Sequence, residues 1–412
     1  VYINQASTPT QVISRPPATR TDGSNAFAHV SMRDRVSGII GDTIRRNPDY
    51  HQSIKDGLKK LQDDVATDAA IRLFDPPAPD YEQWAVRFPR HKGSSWLGAE
   101  WFFAEVYAYR LVVQIARFWE TMRDPFLPIK EEEMNSAGLW DVLGKALEEE
   151  GTLEEQLIQR LAASLWGNRI DMSMEQVAAQ GTEAHEDHLL DDDLPEVAQW
   201  LIKHPAPVHF IMDNAGTEQA LDLDLADLML RKNIATQVLL HVKMQPTLVS
   251  DVIPADIHRL IELMDARGGD VRSLAQRLTQ HLESGRLRVV PDFFWTGPDM
   301  MFELPPYLLR SMEGASLIIS KGDLNYRRIS NDAIWPAGAS LEQALGTFPS
   351  PLLALRTLKS DTVLRLSAEQ MKQMDADDPE WRINGRYGIA QFERFGQTEV
   401  SASPGSTVKT SG

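Results

Sequence analysis

Two short apolar runs, each ending abruptly in polar residues, constrain this chain most. The first, Val208-His209-Phe210-Ile211-Met212, stops at Asp213-Asn214-Ala215-Gly216. The second, Gln237-Val238-Leu239-Leu240-His241-Val242, leads to Lys243, Pro246 and then Val249-Ser250-Asp251. Apolar runs of this length that feed a helical pattern read as strands buried in a parallel sheet. Further strand candidates lie at 286–290, 316–321 and 351–356, with helix candidates at 217–231, 254–266, 271–284 and 341–346. Alternating short β runs and longer α runs predict a three-layer α/β/α core with a mostly parallel sheet covered on both faces.

The first half of the chain reads differently. Residues 1–25 are rich in Ser, Thr, Pro and Gln without periodicity, and we expect a flexible arm. From Ser31, taken as a capping residue, Val36, Ile39, Ile40 and Ile44 follow at helical spacing until Asn47-Pro48. A second helix is expected over about 50–73, a third over 96–122, and one or two more over 136–166. The expected organisation is an arm at 1–25, a helical subdomain at 26–204, the α/β core at 205–394 and a flexible tail at 395–412.

Composition removes several function classes. The chain has 412 residues and no cysteine, which excludes disulfides and thiolate chemistry and fits a cytoplasmic protein. A net charge of -17 argues against a nucleic-acid partner. No long apolar run calls for a membrane span, and the first residues show no signal-peptide pattern. The histidines lack zinc-site spacing, and neither a dinucleotide-binding nor a phosphate-binding glycine loop is present. Asp222-Leu223-Asp224-Leu225 resembles a two-aspartate phosphatase signature, but its apolar neighbours place it inside a helix rather than after a strand.

Parallel strands direct their carboxyl ends to one edge of the sheet, so the polar residues that follow them converge there. Two carboxylates and an amide, Asp213, Asp251 and Asn214, suit a hard divalent cation. Lys321, Arg327 and Lys359 would balance charge on a transferring phosphoryl group. Asp323 and Asn325 could bind sugar hydroxyls, and the helix start after Gly216 offers N–H groups to an anion. Glu218 and Asp222 would back the cation ligands or serve the helix dipole. Glu105 and Arg110 form a candidate buried ion pair. A lone Asp-Asn after a strand is commonly a turn or cap, so the argument rests on the convergence.

Taken in order, these residues resemble the damage-control phosphatase family, and more narrowly its third subfamily. The resemblance rests on Asp213-Asn214-Ala215-Gly216 with Glu218 and Asp222, Val249-Ser250-Asp251, Lys321-Gly322-Asp323-Leu324-Asn325-Tyr326-Arg327 and Arg356-Thr357-Leu358-Lys359. Upstream, Arg33-Asp34-Arg35, Glu105 to Arg110 and Ser164 to Arg169 agree, as does Gly385-Arg386-Tyr387-Gly388-Ile389 downstream. The resemblance implies a Rossmann-like core with a helical N-terminal part. It implies a phosphatase of sugar phosphates such as fructose 1-phosphate and fructose 6-phosphate, using manganese, cobalt, nickel or magnesium. Asp213, Asn214 and Asp251 would then be metal ligands, with Asp213, Asp251 and Lys321 catalytic. Asp213, Asn214, Glu218, Asp323, Leu324, Asn325, Tyr326, Arg327 and Lys359 would contact the substrate. The expected partner is a small phosphorylated metabolite, in the cytoplasm or nucleus, without nucleic acid or membrane. Human relatives were also described as protein-glutamate O-methyltransferases. The alternative is therefore an S-adenosylmethionine-dependent carboxyl methyltransferase, although no glycine-rich loop follows the first strand.

Overall fold

The computed structural model describes residues 14–167 and 188–395. Its centre is a seven-stranded sheet: β1 Leu189–Asp192, β2 Ala206–Ile211, β3 Ala235–Lys243, β4 Leu287–Asp292, β5 Leu317–Lys321, β6 Leu352–Thr357 and β7 Gly388–Glu393. The strand order is β1-β7-β6-β5-β2-β3-β4. Neighbours run parallel except β6 and β7, which are antiparallel. The order reverses at β2, because β3 and β4 lie on one side of it and β5 and β6 on the other. That switch point leaves a crevice beyond the carboxyl ends of β2 and β5.

Alternation along the strands fills two cores. Val208, Phe210, Val238, Leu240, Leu317 and Ile319 enter one core, while Ile211, Ile318, Leu352 and Ile389 enter the other. On the first face the helix Thr217–Arg231 is buried from Thr217 to Leu230, sandwiched between the sheet and the helices Ala137–Ala146 and Leu153–Trp166. A helix buried all round cannot send its acids to water, so each finds a cationic partner. Asp222 meets Lys321, Asp224 meets Arg160, and Asp227 meets Arg231 and Arg277.

The parallel strands and the helices between them lie where the sequence predicts, within a few residues. The edge strand β1 and the antiparallel β7 are additions; β1 is four residues long and half-buried, too short for a periodic signal. The helix Gly322–Ile329 directly after β5 is another addition. The first helix begins earlier than expected. Asn25 is its cap, accepting from Ala28 N at 2.8 Å, and Ser31 opens a π-helical segment, Ser31–Val36, before the α-helix Ser37–Arg46. The helix expected to 73 ends at Ala66, and the one expected over 96–122 is Trp101–Ile115.

Part of the expected arm is ordered. Ala18 pairs with Ala333, Arg20 with Glu100, and Thr19 N donates to Asp332 O at 2.8 Å. Residues 1–13 and 396–412, with Asn168 and Arg169, lie outside the described residues. The helical half also divides before 204: buried residues from Met134 to Leu201 share the core of the sheet. A separate core, from Met32 to Phe126, takes in Leu324 and touches Leu248 and Val249, so these helices sit over the carboxyl edge. Among the described residues no helix is long and apolar enough to cross a membrane.

His209 on β2 and His241 on β3 share one hydrogen bond, Nδ1 to Nε2 at 2.8 Å. Burial pushes His209 down to about 4 and His241 down to about 3, so both stay neutral in the fold. The unfolded chain takes up protons below its ordinary value of about 6.5. Stability is therefore full above that pH and falls as pH drops toward the folded values. We expect a loss on the order of 1–2 kcal/mol per histidine between pH 7 and 5, measured by urea unfolding. Asp222 and Asp332, pushed up to about 6 chiefly by burial, act in the opposite sense. A His209→Gln/His241→Gln variant isolates the histidine contribution and should flatten the descent.

Candidate active site

Backbone pairing past the end of β2 brings Asp213 and Asp251 together. Asn214 bridges to Asp251, Val252 N donates to Asp213 O at 2.8 Å, and Ala215 N donates to Ser250 O at 2.6 Å. The loop from β3 is thus stitched back onto the neighbouring strand. Its tight path sets Leu248 at φ 47° and Val249 at φ 71°, a left-handed conformation that a β-branched residue rarely adopts. Across the crevice Gly322 has φ +83°, and a Cβ there would stand 1.8 Å from Asp213 Oδ2. Only glycine lets the turn after β5 lie against that carboxylate.

Both carboxylates are buried, at 5% and 2% exposure, so water screens neither charge. Burial, with Glu218 and Asp251 adding repulsion, holds Asp213 well above the usual carboxylate range, against the pull of Lys243 and Lys359. Burial also raises Asp251, against the pull of Lys243. Lys243 Nζ lies 3.1 Å from Asp251 Oδ2 and donates to Met212 O at 2.8 Å. Lys130 Nζ holds the other side of the loop, donating to Asp251 O at 2.9 Å and Asp256 Oδ2 at 2.7 Å.

Asn214 completes the cluster. Its Nδ2 donates to Asp213 Oδ2 at 2.7 Å and Glu218 Oε2 at 3.0 Å, while Oδ1 accepts from Ser250 Oγ at 2.5 Å. Among the described residues no group of three or more His, Asp or Glu side chains is gathered to hold a metal. Two carboxylates and this amide nevertheless fit a divalent cation. The donors are hard oxygens, and the buried carboxylates repel one another while Lys243 offsets only part of the charge. Ser250 can donate or accept, so it can serve either end of the amide.

Several expected substrate contacts have other partners. Lys321 Nζ donates to Asp222 Oδ1 at 2.8 Å and to Ser164 Oγ at 2.7 Å, and lies 3.2 Å from Glu218. Burial alone would lower its basicity, but Asp222 and Glu218 hold it above the ordinary value. It ties helices to β5 and is not free to meet a phosphate. Asn325 Nδ2 donates to Lys321 O at 2.8 Å and Met212 O at 3.2 Å. Tyr326 donates to Gln391 Oε1 at 2.8 Å and accepts from Leu364 N at 2.9 Å. Both side chains brace the loop from below, and the Leu324 side chain packs into the helical core.

Arg327 is equally committed, to Glu105 Oε2 at 2.6 Å and Asp332 Oδ1 at 2.7 Å, with Trp101 stacked on its guanidinium. The ion pair expected between Glu105 and Arg110 does not form; Arg110 instead grips Asp80 through Nε and Nη2 at 2.5 and 2.6 Å. The helix start after Gly216 is not open to an anion as expected, because Thr217 N donates to Glu133 Oε1 at 3.0 Å.

Asp323 accepts from Arg356 Nε at 2.8 Å, Ser360 Oγ at 3.0 Å and Lys359 N at 3.2 Å. Burial would raise it, but Arg356 and Arg327 hold it below the usual range. The buried Arg356 also donates to Ser360 O at 2.8 Å, so it shapes the loop that carries half-buried Lys359. Sequence reasoning missed Lys130, Lys243 and Gly322 as site-builders. The lysines carry no motif, and the glycine's role depends on where Asp213 lands.

Fold and crevice define an α/β protein with an oxygen-donor site at its topological switch point. Residues 31–374 match the damage-control phosphatase ARMT1-like domain, and the chain belongs to the damage-control phosphatase family. It is 28% identical to damage-control phosphatase ARMT1 of Danio rerio, covering 92% of this chain and 97% of that protein. The Mus musculus protein of that name is 29% identical, covering 91% and 98%. The Homo sapiens one is 26% identical, covering 89% and 96%. A solved DUF89 family protein from Pyrococcus horikoshii aligns at 14% identity and a TM-score of 0.49, covering 89% of this chain and 98% of that one.

The Gly322→Ala variant should displace Asp213. We expect kcat/KM on any turned-over substrate to fall at least about 100-fold, because displacement by roughly 1 Å is enough for that. Unfolding measurements should show a loss of only about 1–3 kcal/mol from the positive φ. Full activity in this variant would contradict the close approach.

Proposed function

We propose that this chain is a metal-dependent phosphomonoester hydrolase acting on small sugar phosphates of the fructose 1-phosphate and fructose 6-phosphate class, in a metabolite damage-control role. The observation that supports it most is the buried, mutually repelling pair Asp213 and Asp251, paired through the backbone at the sheet's switch point. Such a pair is costly unless a cation sits between its oxygens. Family membership supports the phosphatase class.

Asp213, Asn214 and Asp251 would hold the cation through oxygen. When bound, it would neutralise charge on a phosphate oxygen and favour a nucleophile at neutral pH. The chain's own residues do the rest. Lys243 and Lys130 hold Asp251 in place, and Lys321 with Asp222 fixes Glu218 against Asn214. Lys359, whose charge reaches Asp213, supplies a positive group for the phosphoryl oxygens. Asp323 is kept ionised, so it can accept from a sugar hydroxyl. The N-terminal helices over the edge exclude bulk water from the crevice.

The test is a phosphate-release screen over phosphorylated metabolites with manganese, cobalt, nickel and magnesium. Release should need added metal, stop with chelator, and drop at least about 1000-fold in both Asp213→Ala and Asp251→Ala. Both variants retaining full activity would remove the assignment. Saturable binding of S-adenosylmethionine in calorimetry, with no phosphate release, would favour the carboxyl methyltransferase instead.

A further inference from the structure

We propose that Arg35 is the substrate-phosphate clamp of this crevice, exchanging its contact with Glu105 for the phosphate of the incoming ester. This deepens the hydrolase reading and rests on it for the identity of the anion. The cations near the site differ sharply in their freedom. Lys130, Lys243, Lys321, Arg327 and Arg356 are all buried and paired with carboxylates or carbonyls. Arg35 is the opposite case, with its side chain 63% exposed and its Nη1 3.4 Å from Glu105 Oε1. That separation is at the weak end for a hydrogen bond. Glu105 would not be stranded if Arg35 left, because its other oxygen accepts from Arg327 at 2.6 Å.

Position points the same way. The charged and titratable groups that act on Arg35, which sits on the π-helical segment, come from two other elements: Tyr109 and Glu105 from the helix Trp101–Ile115, and Arg327 and Asp323 from the helix after β5. Arg35 reaches Glu105, which in turn holds Arg327 on the helix after β5, so Arg35 lies against the wall of the crevice, and Tyr109 is within electrostatic reach of both Arg35 and Asp251. Lys359 acts on Asp213 from the loop after β6, which puts a lysine and an arginine on different elements.

The backbone under Arg35 is unusual. Ser31–Val36 forms a six-residue π-helical segment between two α-helical stretches. A π turn admits an extra residue, re-aims the side chains on it and is less favourable than α, so it persists where the redirected side chain is used. Ser37 caps the segment, its backbone N–H donating to Asp34 O and its Oγ donating to Arg33 O. The guanidinium suits the task, because its forked donors match two phosphate oxygens and it stays charged at any working pH.

The experiment uses the full chain with manganese and the best sugar phosphate from the screen. In Arg35→Ala we expect KM to rise about 10- to 100-fold with kcat changed less than about fivefold, the signature of lost substrate binding. Arg35→Lys should fall between the two. Calorimetry with inorganic phosphate on the same proteins should show weakening by a similar factor, and melting temperature should stay within about 2 °C, as for an exposed side chain. KM and phosphate affinity within twofold of the parent would overturn the assignment. Equal loss of affinity for phosphate and for unphosphorylated fructose would also overturn it, since the contact would then be to the sugar. If the parent releases phosphate from no ester, the hydrolase reading falls by itself. Arg35 is then judged on phosphate calorimetry alone: weakening of at least about tenfold in Arg35→Ala supports it, and unchanged affinity or no binding by the parent rejects it.

Discussion

Repulsion between two buried carboxylates organises this protein. Asp213 and Asp251 stand at the switch point of the sheet, joined through the Asn214–Asp251 pairing. Neither can be moved into water without undoing that pairing. Lys243 and Lys130 offset part of the charge, and both are as buried as the acids they hold. A group of this kind is unfavourable for folding alone. Its retention at the edge where α/β sheets bind ligands is what supports the cation-dependent reading proposed above.

A second layer of buried charge carries that arrangement outward. The helix Thr217–Arg231 has acids at 218, 222, 224 and 227, and they face different elements. Glu218 meets Asn214 and Lys321, Asp222 meets Lys321 and Ser164, Asp224 meets Arg160, and Asp227 meets Arg231 and Arg277. Lys321 at the end of β5 is therefore locked to two helices, which fixes the turn at Gly322 that lies against Asp213. The polar residues of this helix are structural tension members whose near end is the site.

The sequence made the parallel strands and the convergence of their ends legible, because buried strands leave short, largely apolar runs such as Val208–Met212 and Leu317–Ile319. It hid other elements for physical reasons. A four-residue edge strand has no period to read, and β7 owes its antiparallel pairing to partners elsewhere. Of the candidate site, Asp213, Asn214, Asp251, Asp323 and Lys359 lie around the crevice. Lys321, Asn325 and Arg327 read as ligands because they are polar and follow a strand, and Tyr326 because the family resemblance implies it, yet their side chains are engaged in bonds that hold the loop. Polarity alone does not reveal which partner a side chain finds, and that depends on helices far away in sequence, such as those carrying Ser164 and Glu105.

The most direct measurement is the melting temperature of the parent and of Asp213→Asn with and without manganese. If the carboxylate pair is a strain that a cation relieves, the parent should melt several degrees higher with metal. Asp213→Asn should match or exceed the metal-free parent and gain nothing from manganese. An Asp213→Asn protein that keeps the full metal-dependent rise would contradict the account, because the cation would then be held elsewhere.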